Sequence, residues 1–374
     1  MSAKTFSRIA VIGFGYWGSK HVRVLGTVPG VDVTVVDPDL DRLADAVSHH
    51  PTVRTARRLA AVADDLDAVI IATPPSTHYA LAAEALAAGL HVLVEKPLAT
   101  SVVDAETLVD AAEAAGLTLM VGHTFEYNPA VRRLRDIVRS GVLGRILYID
   151  AARLNLGLYQ RDVNVIWDLA PHDISIASYV LDAMPISTAV WAWRNVGRGH
   201  PDVAYLRLDF PDTHTFIHVS WLNPDKVRRT TIVGERQMVV YDDLSDKERI
   251  RIYDIGVDPD VADAEPSTGN MPVSYRTGDI TSPYLPFGEP LMIEDQHFVQ
   301  CVRGEAVPET PGRRGLDVVR VLEATDRALA SGRATWVGDE RGVAPGGPDR
   351  MGGPGLRRVP PHDRQVVPRP RADW

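Results

Sequence analysis

Hydrophobic residues in the first third of the chain form short runs separated by alanine-rich stretches. Residues 9–12, 31–36, 68–73, 91–95 and 117–122 are the main runs, and the run at 68–73 is too uniformly apolar to be half exposed. Such runs are typical of parallel strands covered on both faces. Their alternation with helical segments predicts an α/β fold with a parallel sheet between residues 6 and 122.

The helix expected after the second run has Leu40, Leu43, Ala44 and Val47 at positions i, i+3, i+4 and i+7. This spacing places the four residues on one side of a helix. We therefore expect that side to be buried.

From residue 145 onward, apolar and polar residues alternate with a period of two, as in residues 205–210 and 215–221. This pattern predicts antiparallel strands with one covered face. Further strands are expected at 145–153, 188–194, 227–233, 236–241 and 249–253, and helices at 167–181, 291–303 and 316–331. The Gly- and Pro-rich stretch 256–290 is predicted to be a lid or a partly mobile loop.

The first strand leads into a turn with G-x-G-x-x-G spacing, formed by Gly13, Gly15 and Gly18 around Tyr16 and Trp17. Glycines at these positions allow a tight turn, close approach of a pyrophosphate and close packing of helix on strand. The same spacing also joins strands to helices for structural reasons alone.

The second strand ends at Asp37, about 20 residues downstream, where an acid that binds ribose is expected. The turn and this acid together predict dinucleotide binding.

Polar residues and prolines also follow the next two strands, at the edge where open α/β sheets bind ligands. Thr73, Pro74 and His78 belong to the first of these loops, and Glu95 and Lys96 end the next strand. Contact with a cofactor is one interpretation of the first group, and capping of the following helix is the other. Glu95 and Lys96 fit either a solvated pair or a site in which the lysine exchanges a proton beside a nicotinamide.

Asp168 and His172 are four residues apart in a predicted helix and therefore share a face. Taken alone, the pair is equally typical of a carboxylate at a helix start with a neighbouring histidine. A cleft shared with Lys96 would favour a catalytic role.

Composition and net charge limit the kinds of molecule that the protein is expected to bind. The net charge of −9 argues against a nucleic acid or an acidic membrane surface, and no apolar run approaches the length of a membrane span. The single cysteine, Cys301, excludes an internal disulfide and a cysteine-based zinc cluster, and we expect no metal site. The first strand begins too early to leave room for a signal peptide. We expect a cytoplasmic protein with a small-molecule partner.

Four motifs in this order resemble the Gfo/Idh/MocA family of sugar and cyclitol oxidoreductases, and the resemblance extends from residue 6 to about residue 337. They are GFGYWG at 13–18, ATPPSTH at 72–78, VEKPL at 94–98 and WDLAPHD at 167–173. The resemblance implies an N-terminal Rossmann domain and a C-terminal α+β domain with an open, mostly antiparallel sheet that often forms an oligomer interface. We predict these domains at residues 1–124 and 125–338, a disordered tail at 339–374, and a homo-oligomer, as a dimer or tetramer.

The resemblance also implies roles for three residues at the junction of the two domains. Lys96 matches the active-site lysine of the family, and Asp168 and His172 match its aspartate and histidine. The implied reaction is hydride transfer between a ring secondary alcohol and NAD, with His172 as proton acceptor, Lys96 hydrogen-bonded to the same oxygen and Asp168 as an orienting group. A histidine pKa near 6.5 suits this exchange. Asp37 predicts NAD over NADP because its carboxylate repels a 2′-phosphate, an effect that only Arg42 is near enough in sequence to soften.

Residues 122–131 and 153–157 are similar to the branch of the family that is found with nucleotide-sugar and antibiotic-sugar pathways. Polar residues in and around these segments are the predicted substrate contacts: Tyr127, Asn128, Asn155, Tyr159, Arg161 and Asn164. Arg161 also suits a diphosphate. For each of these residues a purely structural role is the other interpretation.

The expected reaction is oxidation at C3 of an NDP-hexose such as UDP-glucose, giving a 3-keto sugar for a partner aminotransferase. The alternatives are NAD(P)H-dependent reduction of a 3-keto deoxysugar nucleotide, oxidation of a free sugar or inositol, and glycoside cleavage with transient use of NAD. A scaffold or transcriptional role has no basic or amphipathic segment to support it.

Overall fold

Six parallel strands form the first sheet in the computed structural model, which describes residues 6–157, 159, 163–196, 199–257, 275–286 and 288–338. The strands are β1 (Ser7–Ile12), β2 (Val31–Val36), β3 (Arg54–Ala56), β4 (Ala68–Ile71), β5 (His91–Glu95) and β6 (Leu119–Gly122), in the order β3-β2-β1-β4-β5-β6. Ile12 at the end of β1 lies beside Val36 on one side and Ile71 on the other. This register brings the loops after β1, β2 and β4 to one edge of the sheet.

Helices cover both faces of this sheet: α1 (Tyr16–Leu25), α2 (Leu40–His49), α3 (His78–Ala87) and α4 (Val102–Ala115). The predicted face of α2 is partly wrong. Leu43 is buried as expected, but Leu40 is 61% exposed, Val47 is 43% exposed and Ala44 is also exposed, and Ala46 is buried instead. The reason is that α2 packs on the edge strand β3 and its neighbour β2, which cover only a narrow stripe of the helix.

Nine strands form the second sheet among the described residues: β7 (Ile146–Leu156), β8 (Ser187–Trp193), β9 (Val203–Asp209), β10 (His214–Ser220), β11 (Leu222–Gly234), β12 (Met238–Asp242), β13 (Ile250–Tyr253), β16 (Ile280–Thr281) and β17 (Thr335–Trp336). Their order is β16-β13-β12-β11-β7-β10-β9-β8-β17, and the sheet is antiparallel except for the pairing of β10 with β7. A separate ribbon pairs β14 (Gly256–Val257) with β15 (Tyr275–Arg276). The predicted α/β fold with a second, mostly antiparallel sheet is confirmed.

Strand β11 begins five residues before the predicted start at residue 227. Its pairing with β7 shifts register between Leu222 and Val227, as in a β-bulge, and then continues regularly. The alternation of apolar and polar residues is lost in this irregular segment, which explains why the pattern did not include it.

Four further α-helices lie in the described part of the chain: α5 (Pro129–Arg139), α6 (Val165–Leu181), α7 (Pro290–Val302) and α8 (Gly312–Ser331). Helix α7 packs against α1, and its Phe298 belongs to the same buried cluster as Ile9 of β1. Helix α8 packs against α4 and β6 as well as β8. The core around the first sheet therefore includes residues from the predicted second domain, and the boundaries 1–124 and 125–338 stay a prediction.

Two predicted segments fall largely or wholly outside the described residues. Of the stretch 256–290, residues 258–274 and 287 are not described. The predicted tail, 339–374, lies wholly outside the described residues. Among the helices that are described, none combines the length and the apolar character needed to cross a membrane.

Candidate functional site

A cleft of about 960 Å³ opens at the edge of the first sheet where the loops after β1, β2 and β4 meet. We call it the cofactor cleft. Seven predicted cofactor residues line it: Gly13, Gly15, Tyr16, Trp17, Asp37, Thr73 and Pro74. The register of three neighbouring strands thus brings together residues that are up to 61 positions apart in the sequence, from Gly13 to Pro74.

The three glycines of the first loop have different physical reasons to be glycine. Gly13 has a φ of +91°, and a Cβ on it would lie 2.8 Å from the carbonyl oxygen of Ala72. A Cβ on Gly18 would lie 1.8 Å from the carbonyl oxygen of Gly13, so this residue lets α1 pack on the turn. A Cβ on Gly15 would meet no atom within 4 Å and would project into open space. Together with the unpaired N–H groups of the first turn of α1, this arrangement fits a pyrophosphate.

Asp37 is nearly buried at the end of β2. Its Oδ2 accepts a hydrogen bond from the Phe14 amide at 2.8 Å and its Oδ1 accepts one from the Asp39 amide at 2.9 Å. Each carboxylate oxygen has a second lone pair available for a ribose hydroxyl. The guanidinium of Arg42 is 3.7 Å from Oδ2.

Arg57 and Arg58 also line the cofactor cleft. No sequence motif marks these two residues, because they lie in the loop that follows the short edge strand β3.

A smaller cavity of about 140 Å³, here called the lysine cavity, lies beside the cofactor cleft and shares Trp17, Ala72 and Thr73 with it. Lys96 and Asp168 both line this cavity. The Nζ of Lys96 donates a hydrogen bond to the backbone carbonyl of Asp168 at 2.7 Å and lies 3.6 Å from its Oδ1. The Oδ2 of Asp168 accepts a hydrogen bond at 3.0 Å from the indole of Trp221, a residue that the sequence analysis did not include.

Glu95 does not form a solvated pair with Lys96. Its Oε2 accepts the backbone N–H of Lys96 at 3.2 Å, and its Oε1 is 3.2 Å from Nε2 of His21. The Nδ1 of this fully buried histidine lies 2.8 Å from Asp295. Although burial opposes a charge on His21, the carboxylates of Asp295 and Glu95 raise its pKa well above the usual value. Glu95 still lines the lysine cavity, and the network behind it links β5, α1 and α7.

A third cavity of about 150 Å³, here called the histidine cavity, shares Trp17, Lys96 and Asp168 with the lysine cavity. His172 lines it, one turn of α6 after Asp168, and its ring packs edge-on against Phe125 with 5.0 Å between centroids. The structure therefore brings the three predicted catalytic residues together, and Trp17 borders all three cavities.

Burial lowers the pKa of His172 well below its usual value, and the positive charges of Lys96, Arg153 and Arg228 lower it further. Its Nδ1 is buried and has no partner among the described residues. The imidazole is consequently neutral at pH 7, which is the form that can accept a proton.

Three cationic residues of the second sheet line the histidine cavity, and the sequence analysis assigned no role to any of them. Arg153 on β7 forms two hydrogen bonds, of 2.8 and 3.1 Å, with the buried carboxylate of Asp173. Lys226 and Arg228 come from β11. The only available signal was the basic character of residues 226–229, which a solvated strand face would equally explain.

His78 is a correction to the predicted cofactor contacts. It is fully buried, with Nδ1 2.7 Å from the carbonyl oxygen of Pro97 and Nε2 2.9 Å from that of Thr73. Both ring nitrogens are thus engaged with backbone oxygens, so His78 joins the loop after β4 to the loop that carries Lys96 instead of facing the cofactor cleft. Burial lowers its pKa.

Three predicted substrate contacts have structural partners instead. Tyr127 is fully buried with its hydroxyl 3.1 Å from Thr310, and Asn128 is buried with its carboxamide oxygen accepting the first free amide of α5. Asn164 caps α6 by accepting hydrogen bonds from the amides of residues 166 and 167. Tyr127 thus makes a buried hydrogen bond, and the two asparagines accept hydrogen bonds from free amides at helix N-termini.

The remaining substrate predictions have different outcomes. Asn155 lines the histidine cavity, and its contact with substrate stays a prediction. Tyr159 donates a hydrogen bond to Asp202 at 3.3 Å and its ring lies 5.1 Å from that of Trp221, so its contact with substrate stays a prediction. Arg161 lies outside the described residues. Within the described ranges, no three His, Cys, Asp or Glu side chains are placed to share a metal ion.

Alanine substitutions of Gly18 and Gly15 should affect different properties, the stability in one case and NAD binding in the other. Gly18→Ala should lower the stability by about 1–3 kcal/mol because its Cβ overlaps backbone. Gly15→Ala should leave the melting temperature unchanged but weaken NAD binding by at least about tenfold, since the methyl group occupies the phosphate position. Thermal unfolding and calorimetric titration with NAD test both variants. Normal NAD affinity in Gly15→Ala would contradict the assigned phosphate site.

The sequence matches models of one known family over most of the described chain. Residues 7–123 match the Gfo/Idh/MocA model described as an oxidoreductase family with an NAD-binding Rossmann fold. Residues 131–240 match the model of the Gfo/Idh/MocA C-terminal domain.

Individual relatives have varied activities. D-apiose dehydrogenase of Paraburkholderia graminis is 26% identical over 354 residues, which cover 90% of this chain and 91% of that protein. UDP-N-acetylglucosamine 3-dehydrogenase of Acidithiobacillus ferrooxidans is 33% identical over 180 residues, which cover 48% of this chain and 56% of that protein.

A crystal structure of a candidate oxidoreductase from Magnetospirillum magnetotacticum superposes with a TM-score of 0.71 at 30% identity, covering 86% of this chain and 99% of that one. Since both halves of the family are matched in their order along the chain, this protein belongs to the Gfo/Idh/MocA family and is an NAD-binding oxidoreductase.

Proposed function

We propose that this enzyme uses NAD to oxidise the C3 secondary alcohol of an NDP-hexose such as UDP-glucose to the 3-keto sugar. The observation that supports an alcohol oxidation is the convergence of Lys96, Asp168 and His172 on two cavities that adjoin the cofactor cleft through Trp17. The nucleotide-linked substrate is supported by similarity to a UDP-N-acetylglucosamine 3-dehydrogenase.

Each residue of the site has a separate role in the proposed reaction. NAD, when bound, supplies the hydride acceptor. Neutral His172 takes the proton of the substrate hydroxyl, and the Nζ of Lys96 donates a hydrogen bond to the same oxygen. Asp168 holds Lys96 by its carbonyl at 2.7 Å, and Trp221 in turn holds the carboxylate of Asp168.

A 3-ketohexose is unstable and its formation with NAD is uphill, so the oxidation should be coupled to a step that consumes the ketone. An aminotransferase is the proposed partner. The alternatives are reduction of a 3-keto deoxysugar nucleotide with NAD(P)H, oxidation of a free sugar or inositol, and glycoside cleavage with transient use of NAD. Similarity to D-apiose dehydrogenase over nearly the whole chain favours the free sugar among these. The cytoplasmic location also stays a prediction.

Substitution of the catalytic pair should separate chemistry from cofactor binding. We expect His172→Ala and Lys96→Ala each to lower kcat by about 10²–10⁴-fold, because a positioned proton acceptor or donor is lost. NAD affinity should stay within about twofold, since neither side chain lines the cofactor cleft. The exposed His49→Ala is the control. Turnover near that of the parent protein would contradict the assignment.

Asp37 should determine the choice between NAD and NADP. Removal of its carboxylate in Asp37→Ser should lower the NAD-to-NADP ratio of kcat/KM on the order of tenfold or more, because repulsion of the 2′-phosphate is lost while Arg42, Arg57 and Arg58 remain. The exposed Asp41→Ser is the matched control. Equal kinetics with both cofactors in the parent protein would show that Asp37 does not discriminate.

A substrate panel tests the proposed reaction directly. UDP-, TDP- and GDP-hexoses, free hexoses and inositols are assayed with NAD, alone and with an aminotransferase plus amino donor. We expect NADH formation with a nucleotide hexose, enhanced by the aminotransferase. Activity confined to unlinked polyols would refute the nucleotide-sugar substrate, consumption of a keto sugar nucleotide with NADPH would reverse the direction, and product without NADH would indicate transient redox chemistry.

We also propose that the chain forms a homo-oligomer through the outer face of the second sheet. Aromatic side chains on β7 to β10 are exposed there: Tyr148, Trp191, Trp193, Tyr205 and Phe216. An exposed apolar patch of this kind is typical of an interface. Light scattering should show a dimer or tetramer that Trp191→Glu dissociates, whereas Tyr275→Glu on the separate ribbon should not. A monomeric parent protein would refute this proposal.

A further inference from the structure

We propose that the substrate carries an oxyanion, either a phosphate or a carboxylate, that binds Lys226 and Arg228 in the histidine cavity. The proposal rests on the proposed function in that it assigns a specificity site to the same substrate. It restricts the substrate class to sugars that bear a negative charge.

The charges that line the histidine cavity are unbalanced. Lys96, Arg153, Lys226 and Arg228 line it, whereas Asp168 is its only lining carboxylate among the described residues. Asp173 pairs with Arg153 but is not one of the lining residues, and the same is true of Asp243, which lies 3.3 Å from Arg228. The cavity therefore presents cationic groups on its wall and keeps the compensating carboxylates behind it.

Lys226 differs from the other three cations because it has no ion pair with another described residue, and it is exposed. It lies in the irregular segment of β11 between Leu222 and Val227, where the pairing with β7 shifts register. Bulges near active sites redirect side chains. Here the redirected side chain lines the same cavity as His172 and Asn155.

The cations that line the histidine cavity, here called the cationic wall, are Lys96, Arg153, Lys226 and Arg228, and a bound oxyanion would compensate their positive charge. Burial, Lys96, Arg153 and Arg228 together hold the pKa of His172 well below its usual value. A neutral polyol would cover the cationic groups without compensating them. A phosphate or carboxylate would accept charge-assisted hydrogen bonds from Lys226 and Arg228 and offset their field at His172.

Calorimetric titration of the NAD-bound protein tests this without relying on turnover. The ligands are glucose 1-phosphate, glucuronate and methyl glucoside, so that phosphate, carboxylate and no charge are compared on one ring. We expect at least one anion to bind about tenfold more tightly than methyl glucoside, as a charge-assisted hydrogen bond implies. The arm that shows the preference identifies the anion.

Substitutions of Lys226 test whether this residue binds the anion. Lys226→Met should abolish the preference and leave affinity for methyl glucoside unchanged, Lys226→Arg should retain it, and the exposed Lys247→Met is the matched control. In any assay with turnover, Lys226→Met should raise KM for the charged substrate with little change in kcat.

Equal binding of charged and uncharged ligands, no binding of either anion, or equal weakening of all ligands in Lys226→Met would overturn the proposal. These outcomes are distinct from failure of the proposed function. An anion preference without NADH formation from any nucleotide hexose would refute that reaction and leave the oxyanion site standing. NADH formation without an anion preference would do the reverse.

Discussion

The contact on which the site depends is the one between Lys96, at the end of β5, and Asp168, near the start of α6. Both side chains are largely buried, with 13% and 20% of their surface exposed, so each charge needs the other. The lysine also donates a hydrogen bond to the Asp168 carbonyl, and the indole of Trp221, the residue between β10 and β11, donates one to the carboxylate. This ion pair thus joins the end of a strand in the first sheet to a helix that packs on the second sheet. The proposed catalytic arrangement forms only when these two layers are packed together.

Behind this contact, a second set of buried charges holds the first sheet in place. His21 of α1 lies between Asp295 of α7 and Glu95, the residue that precedes Lys96. A buried imidazolium is stable here because two carboxylates flank it. Burial raises the pKa of neighbouring Glu294 well above its usual value, and the charges of Glu95 and Asp295 raise it further. The helix that begins the cofactor cleft is therefore fixed to a helix near the end of the described chain by electrostatics as well as by apolar packing.

The same electrostatic principle has opposite results for the two histidines. Burial opposes a charge on both side chains. The carboxylates of Asp295 and Glu95 nevertheless raise the pKa of His21 well above its usual value, whereas burial and the surrounding cations both lower the pKa of His172. The same type of side chain thus has opposite pKa shifts in two buried environments.

The sequence by itself determined the elements whose signals are local. Short apolar runs and period-two alternation predicted the two sheets, and the G-x-G-x-x-G spacing identified Gly13 and Gly18, where the structure leaves no room for a Cβ. Lys96, Asp168 and His172 came from motifs, but the sequence left open whether they meet. The tertiary structure decided that they do, and it alone added Trp221 and the cationic wall.

Tertiary structure also decided whether the predicted polar residues are available to a ligand or are bonded within the fold. His78, Tyr127 and Asn128 looked like ligand contacts because their chemistry suits that role, yet each is buried against partners that no spacing rule could reveal. The partner of His21 lies 274 positions away in the sequence. A polar side chain can satisfy its hydrogen bonds with a ligand or with the fold, and only the packing of distant segments determines which.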